Sequence, residues 1–119
     1  MNDKVNLVDL SYVRAMAGDS MDLVNEMINI FISQVPGFIS EMKSSHQDKN
    51  WIQLGLIAHK AKSSVAVMGM EKQASSLKDL ELKSKDGVDA EQYSEYIRSF
   101  ENDCQAAIIE LQDILNSNK

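Results

Sequence analysis

Apolar side chains recur along most of this chain at steps of four and three residues. That spacing keeps the side chains on one face of an α-helix, and no other feature of the sequence restricts the fold as strongly. No stretch shows the apolar and polar alternation that is typical of paired strands. The periodicity therefore predicts an all-α protein. The two longest seams comprise Val24, Ile28, Phe31, Val35, Phe38 and Met42, and Tyr93, Ile97, Phe100, Cys104, Ala107, Leu111 and Leu115.

Helix-capping residues and glycines separate the periodic segments. Asp9, Asn50 and Asp89 precede periodic stretches and are predicted to be N-caps. The single proline, Pro36, interrupts the first long seam, and it predicts a kink or a local break in that helix. The predicted helices span about residues 9–17, 20–45, 50–68, 70–85 and 89–116.

Four long helices joined by short connections pack most simply as an antiparallel four-helix bundle. The short helix over residues 9–17 is expected to cover part of that bundle. A chain of 119 residues is long enough to bury one hydrophobic core, so we expect a single domain spanning residues 1–119. The start at Met1 and the polar end over residues 116–119 favour a free-standing protein.

The charge and the cysteine content restrict the function further. A formal net charge of −6 argues against nucleic acid or an anionic membrane as the main partner, because phosphate binding relies on clustered lysine and arginine. Cys104 is the only cysteine, and its place on the last seam predicts a small core residue rather than a reactive thiol. The absence of a disulfide, a signal peptide and a membrane-spanning run predicts a cytoplasmic protein.

Several kinds of catalytic site find no support in the sequence. It contains neither the G-x-x-x-x-G-K-[ST] loop nor the G-x-G-x-x-G pattern, so we expect no ATP binding of the kinase type. Lys43 and Leu56 stand three residues before the two histidines, which excludes the Glu-x-x-His pairs of a di-metal bundle. With two histidines and one cysteine, we expect no metal site. No nucleophile-elbow pattern supports a Ser–His–Asp triad, although one sequence alone does not exclude it.

The predicted helix over residues 50–68 carries one of these histidines, His59, outside its apolar arc. Gly55, Ser63 and Ala66 surround His59 on the helical wheel, and they are small enough to leave the imidazole accessible. The arc that is expected to face the core comprises Trp51, Leu54, Ile57, Ala58, Ala61, Val65 and Met68.

His59 and Lys62 together suggest a site for a phosphoryl group. Neutral imidazole is a competent nucleophile near pH 7, because histidine side chains titrate at about pH 6.5. Lys62, three residues later on the same helix face, could neutralise part of a phosphoryl charge. Ile52, Leu56 and Val67 lie beside this strip, and exposed apolar residues there would form a docking patch. Alternatively, His59 is a surface histidine without a function and these apolar residues are buried on a second side of the helix.

Residues 58–64, with the sequence AHKAKSS, resemble the A-H-x-L-K-G-S signature of histidine-containing phosphotransfer (HPt) domains. Gly69 matches the glycine that the family carries ten residues after the histidine. Other stretches also resemble positions that are typical of the family, so the resemblance covers nearly the whole chain. These stretches are residues 9–12, Gly18 with Asp19, Phe31 with Pro36, and Asn50 with Trp51.

This resemblance implies a phosphorelay carrier that moves phosphoryl groups between aspartates of response-regulator receiver domains through a phosphohistidine. On that analogy His59 is the phosphorylated nucleophile, and Lys62 stabilises the phosphoryl group. Receiver domains are the implied partners, with the receiver of a hybrid histidine kinase among the candidates, and the receiver supplies the Mg²⁺ that assists transfer. No cofactor and no ATP-dependent kinase activity are expected of this chain. The residues expected to dock the receiver are Ile52, Gly55, Leu56, Ser63, Ala66 and Val67.

Three positions depart from the family's pattern. Ala61 replaces the usual leucine, which thins the core and leaves the chemistry unaffected. Ser63 replaces a frequent glycine; it could restrict docking or donate a hydrogen bond to the phosphoryl oxygens, and we expect tolerance because serine is small. Glu81 stands where the family often has a glutamine that lies near the histidine and comes from the next helix, and no role is assigned to it because a carboxylate would repel a phosphohistidine.

A function of another class also fits the sequence. A non-catalytic helical adaptor would bind a partner helix through the apolar edge near Ile52 and Leu56, and His59 would then be incidental. The two functions differ in one outcome, because only the carrier acquires an acid-labile phosphoryl label on His59.

Overall fold

The computed structural model describes residues 7–117, and these residues form five α-helices and one short 3-10 helix. Within that range there is no β-strand, so the prediction of an all-α protein is confirmed. Met1 and residues 118–119, on which the expectation of a free-standing protein partly rests, lie outside the described residues. The helices are α1 (Ser11–Ala17), α2 (Met21–Gln47), α3 (Trp51–Val67), α4 (Glu71–Asp86) and α5 (Tyr93–Ser117), with the 3-10 turn Ala90–Gln92 directly before α5.

Two helices begin at side-chain caps that the sequence makes recognisable. Ser20 Oγ accepts a hydrogen bond from the Leu23 amide at 3.3 Å and caps α2. Asn50 Oδ1 accepts one from the Gln53 amide at 3.2 Å and caps α3, as predicted. Each cap satisfies an amide that has no partner within its own helix, which fixes where the helix starts.

Two of the predicted caps are wrong. Asp89 makes no capping bond and has a φ of 57°, because it opens the 3-10 turn rather than α5 itself. Asp9 lies one residue before the N-cap of α1, which is Leu10. Asp9 Oδ1 instead accepts hydrogen bonds from Ser11 Oγ at 2.6 Å and from the Ser11 amide at 3.0 Å. These bonds hold the pKa of the Asp9 carboxyl below its ordinary value.

Pro36 lies inside α2 without ending it. The helix runs continuously from Met21 to Gln47, so no local break occurs at the proline. Val35 and Met42, on the two sides of Pro36 along the seam, are both buried. Burial of one continuous apolar face therefore outweighs the hydrogen bond that the proline cannot donate.

The core forms where α3 packs against both α2 and α4, while α5 contacts α2 and α4 and α1 contacts α2. Trp51 is half-buried, and its ring meets that of Tyr93 edge-on at a centroid distance of 5.0 Å. Cys104 is fully buried; burial, with the nearby Asp103 charge, raises the pKa of its thiol to about 12. The prediction of a core cysteine is confirmed. The other residues of the predicted α3 core arc, Leu54, Ile57, Ala58, Ala61, Val65 and Met68, are all buried.

Gly69, which follows α3 in the chain, packs against the segment before α1. Its φ is 75°, and a Cβ atom on it would overlap the backbone of Asp9. The Asp9 amide donates a hydrogen bond to the Met68 carbonyl at 2.9 Å. Only glycine permits both this backbone conformation and this close approach. None of the helices within residues 7–117 combines the length and the apolar character that crossing a bilayer requires.

Candidate functional site

His59 lies near the middle of α3 on the side that faces away from the core. Its side chain is 59% exposed, whereas its neighbour Ala58 is fully buried. The helix thus holds the backbone of His59 rigidly while it presents the imidazole to solvent. The sequence-based expectation of an accessible histidine agrees with this geometry.

Glu81 on α4 connects His59 to Lys62. One carboxylate oxygen, Oε2, lies 2.9 Å from His59 Nδ1, and the other, Oε1, accepts a hydrogen bond from Lys62 Nζ at 3.1 Å. Glu81 and Lys62 are 28% and 26% exposed, so both are more shielded from water than His59. A single carboxylate therefore joins the two residues that the sequence singled out.

The contact with Glu81 determines which ring nitrogen of His59 carries the proton. An ionised carboxylate can only accept a hydrogen bond, so Nδ1 must be the donor. In the neutral imidazole the proton then sits on Nδ1, and Nε2 keeps its lone pair. Among residues 7–117, none hydrogen-bonds to Nε2. The arrangement leaves one exposed nitrogen with a free electron pair.

Glu81 stays ionised because its partners outweigh its partial burial. Burial raises the pKa of the Glu81 carboxyl, whereas the hydrogen bonds from Lys62 and His59 and their charges lower it. The net result is a pKa below the ordinary value of 4.5. At neutral pH the site thus contains a carboxylate and an ammonium group that compensate each other beside the imidazole.

A shallow groove between α3 and α4 adjoins the histidine. Ile52 and Leu56 are 64% and 55% exposed, and they form its apolar side. Lys85 lines the groove on the α4 side. This groove brings three of the predicted docking residues, Ile52, Gly55 and Leu56, together with His59 and Glu81, as a largely apolar surface directly beside the polar group.

The other three predicted docking residues follow His59 along α3. Ser63 and Ala66 are exposed. Val67 is half-buried and lines a second groove, between α2 and α3, together with Met27 and Ile30. Ile52, Gly55 and Leu56 thus line the groove beside His59 and Val67 lines a second one, while Ser63 and Ala66 are exposed on α3 after His59.

Gly55 lines the groove beside His59 and is at the same time buried against α4. A Cβ atom on Gly55 would come within 2.9 Å of Ser84 Oγ. Its lack of a side chain therefore serves the packing of α3 on α4 as well as the shape of the groove. The structure gives Gly55 a role in helix packing.

Glu81 was expected near His59 from the resemblance, but no role was predicted for it. That expectation considered only repulsion between a carboxylate and a phosphoryl group, although imidazole has two nitrogens and Glu81 contacts the one that would stay unmodified. Its position beside α3 also has a local signal, because Glu81 directly follows the buried Leu80 on α4. A charged residue at the edge of a seam lies beside the neighbouring helix.

No group of three or more histidine, cysteine, aspartate or glutamate side chains in the described part of the chain is arranged to hold a metal ion. Comparison with models of known protein families finds no match for this chain. Searches among characterised proteins and among solved structures find no match either. The functional argument therefore rests on the residues and their geometry.

Proposed function

We propose that this protein is a phosphoryl carrier in which His59 Nε2 accepts a phosphoryl group from an aspartyl phosphate of one receiver domain and passes it to the aspartate of another. The observation that carries this proposal is the 2.9 Å contact between His59 Nδ1 and Glu81 on an otherwise exposed imidazole. It orients the ring and leaves Nε2 as the free nucleophile. The resemblance of residues 58–64 to the HPt signature points to the same reaction.

Atoms and electrons balance in the transfer step with groups that the two proteins themselves supply. The Nε2 lone pair forms the new N–P bond while the P–O bond to the receiver aspartate breaks, and the electron pair leaves on the aspartate carboxylate. The imidazole acquires positive charge and keeps its proton on Nδ1. Glu81 stabilises that charge through the hydrogen bond that is already formed. The return step to a second receiver is the same reaction in reverse.

Lys62 is proposed to compensate the charge of the phosphoryl group. It lies three residues after His59 on the same face of α3, and its ammonium group is already held at the site by Glu81 at 3.1 Å. A small rotation of its flexible stem would let the ammonium interact with phosphoryl oxygens while it stays close to Glu81.

We propose that receiver domains dock on the exposed residues around His59. Ile52 and Leu56 supply an apolar contact, and the small side chains of Ser63 and Ala66 leave room for a receiver to approach. Val67 extends this surface towards α2, whereas Gly55 packs within the protein. The receiver would supply the Mg²⁺ for transfer, and the receiver of a hybrid kinase is one candidate donor. The cytoplasm is the proposed compartment.

The proposed arrangement of α2, α3, α4 and α5 is an antiparallel four-helix bundle with α1 covering part of it. The pattern of contacts supports this arrangement, because α3 touches α2 and α4 while α5 touches the same two helices. Short connections between successive helices are typical of antiparallel neighbours. Ala61, where the family usually has leucine, is fully buried, so this departure concerns the core alone.

Incubation with a phosphorylated receiver domain tests the proposed function. The wild-type protein should acquire an acid-labile phosphoryl label, and the His59→Gln variant should acquire none. His46→Gln is the matched control, because it changes the other histidine in the chain and should be labelled normally. Labelling of the His59→Gln variant would contradict the proposal.

A non-catalytic adaptor that binds a partner helix at Ile52 and Leu56 is the second candidate, and the exposure of both side chains favours it. The adaptor would bind its partner equally well with His59→Gln and would take up no label. Failure of the wild type to be phosphorylated by any of a panel of receivers, with retained partner binding, would support the adaptor.

A further inference from the structure

Gly55 lies one turn before His59, where α3 packs against α4. A Cβ atom on Gly55 would lie 2.9 Å from Ser84 Oγ, 3.6 Å from the Glu81 carbonyl oxygen and 4.0 Å from the Lys85 amide nitrogen. Only the first of these distances is too short for an ordinary contact. Glycine therefore lets the backbone of α3 pack directly on the turn of α4 that carries Glu81.

Ser84 connects this packing contact to Glu81. The Ser84 side chain is fully buried, and its Oγ donates a hydrogen bond to the Glu81 carbonyl oxygen at 3.2 Å. An added methyl group at residue 55 would displace this hydroxyl and so disturb its bond to the Glu81 carbonyl. A side chain at residue 55 would therefore act on the same helical turn that holds the Glu81 carboxylate against His59.

The geometry points to Gly55 as a positioning residue for phosphoryl transfer. The missing side chain sets the spacing of α3 and α4 at this turn, and that spacing keeps the Glu81 carboxylate within hydrogen-bond distance of His59 Nδ1. The inference rests on the proposed function, since the His59–Glu81 bond matters for transfer by leaving Nε2 free. Gly55 itself touches none of the reacting atoms, and although it also lines the groove beside His59, NMR of the free protein reports its positioning role without a docked receiver.

A rescue experiment tests this role. Gly55→Ala introduces the short contact, and the added change Ser84→Ala removes the nearest atom, so that no atom on the other described helices stays closer than 3.6 Å. Gly37→Ala is the matched control: it makes the same change inside α2, where a Cβ atom meets nothing within 4 Å. Both single glycine changes favour helix formation equally, so a difference between them reports the contact with α4.

In NMR spectra of the free Gly55→Ala protein, we expect the signal of the hydrogen-bonded Nδ1 proton of His59 to disappear. We also expect the ¹⁵N shifts of the His59 ring to differ from those of the wild type. Transfer from a phosphorylated receiver should slow by roughly tenfold, as for the loss of a hydrogen bond to a charged group. The double variant Gly55→Ala/Ser84→Ala should recover both the NMR signature and the rate. Gly37→Ala should match the wild type in both.

Two results would overturn the inference. One is a Gly55→Ala variant whose His59 resonances match those of the wild type. The other is a folded double variant that still lacks the Nδ1 signature, and this second test holds even if the single variant is unstable. The NMR comparison uses the unphosphorylated protein, so it tests whether Gly55 positions Glu81 against His59 without any receiver. Failure of every receiver to phosphorylate the wild type would contradict the proposed function instead.

Discussion

The two flanks of α4 each carry a similar polar cluster, but the clusters differ in whether a reactive atom stays without a hydrogen-bond partner. On the flank facing α3, Glu81 bonds to His59 Nδ1 and to Lys62. On the flank facing α5, Lys83 Nζ donates to Gln92 Oε1 at 2.8 Å and to Tyr96 Oη at 3.0 Å. Each cluster places a partly shielded charge between two helices.

The difference lies in which atoms remain without a partner. In the Lys83 cluster, the ammonium meets two oxygen acceptors and the Asp89 carboxylate at 3.9 Å, and Tyr96 Oη in turn donates to Asp79 at 3.3 Å. These groups satisfy one another and include no nucleophile at neutral pH. In the Glu81 cluster, the exposed His59 ring keeps Nε2 available. An ion pair between helices therefore indicates chemistry only where it orients a reactive group toward solvent.

The largest expected effect comes from removing the nucleophile. His59→Gln should abolish phosphoryl uptake and change stability little, because the side chain is 59% exposed. Uptake would be followed with a labelled receiver, and stability by denaturant titration. A variant that unfolds more easily by several kcal/mol would show that His59 serves the fold, and the contrast between the clusters would fail.

Glu81→Ala should slow transfer by about 10- to 100-fold, because a hydrogen bond to a charged group is worth about 1.5–3 kcal/mol. Glu81→Gln should slow transfer less, since the amide oxygen of glutamine can still accept a hydrogen bond from Nδ1 although the negative charge is lost. Single-turnover rates with a phosphorylated receiver would measure both. Equal rates for Glu81→Ala and the wild type would reduce Glu81 to a surface ion-pair partner.

Lys62→Ala should slow transfer by about two- to fivefold, since partly exposed ion pairs contribute up to about 1 kcal/mol. Lys60→Ala is the matched control, because Lys60 is an exposed lysine on the same helix. The same single-turnover assay applies, at low and at high salt. If both variants lose rate equally, the lysines act only through the general field around the site.

The pH dependence of stability follows from the lowered pKa of Glu81. A carboxyl group whose pKa is lower in the folded state than in the unfolded state stabilises the fold at pH values above its ordinary pKa of 4.5. That contribution to stability disappears as the pH falls through the pKa of the folded state. The wild type should therefore be more stable than Glu81→Gln at pH 7, and the difference should shrink at pH 3. Denaturant titrations at the two pH values would measure it; a difference that grows on acidification has the wrong sign.

The smallest effect on transfer is expected on the other flank of α4. Lys83→Met should lower the unfolding midpoint slightly, because Tyr96 and Gln92 lose a shared partner, and it should leave transfer unchanged. Melting curves and transfer rates on the same sample provide the check. Slower transfer in this variant would mean that the two clusters are coupled through α4.

The buried faces of the helices were predictable because periodicity alone determines them. The seam of α2 and the arc of α3 are buried largely as the spacing indicates, apart from the half-buried Phe38 and Trp51. The Asn50 cap was also predictable, since a cap acts within four residues of the chain. The Asp89 cap was not, because the chain inserts a 3-10 turn before α5.

The partners of His59 were not predictable from α3 alone. A helical wheel shows which residues leave the core, but it does not show which flank the next helix covers. The packing of Gly55 on α4 was therefore not predicted. The hydrogen bond between Glu81 and His59 was not predicted for the same reason, since it spans 22 residues of the chain and depends on how α4 packs on α3.

The most direct test of the account is the protonation state of the two His59 ring nitrogens. Long-range ¹H–¹⁵N NMR of the unphosphorylated protein, with the imidazole neutral, would assign them. The account predicts a protonated Nδ1 and an unprotonated Nε2, and a new N–P bond on Nε2 after phosphorylation. A proton on Nε2 in the free protein, or a phosphoryl group on Nδ1, would contradict it.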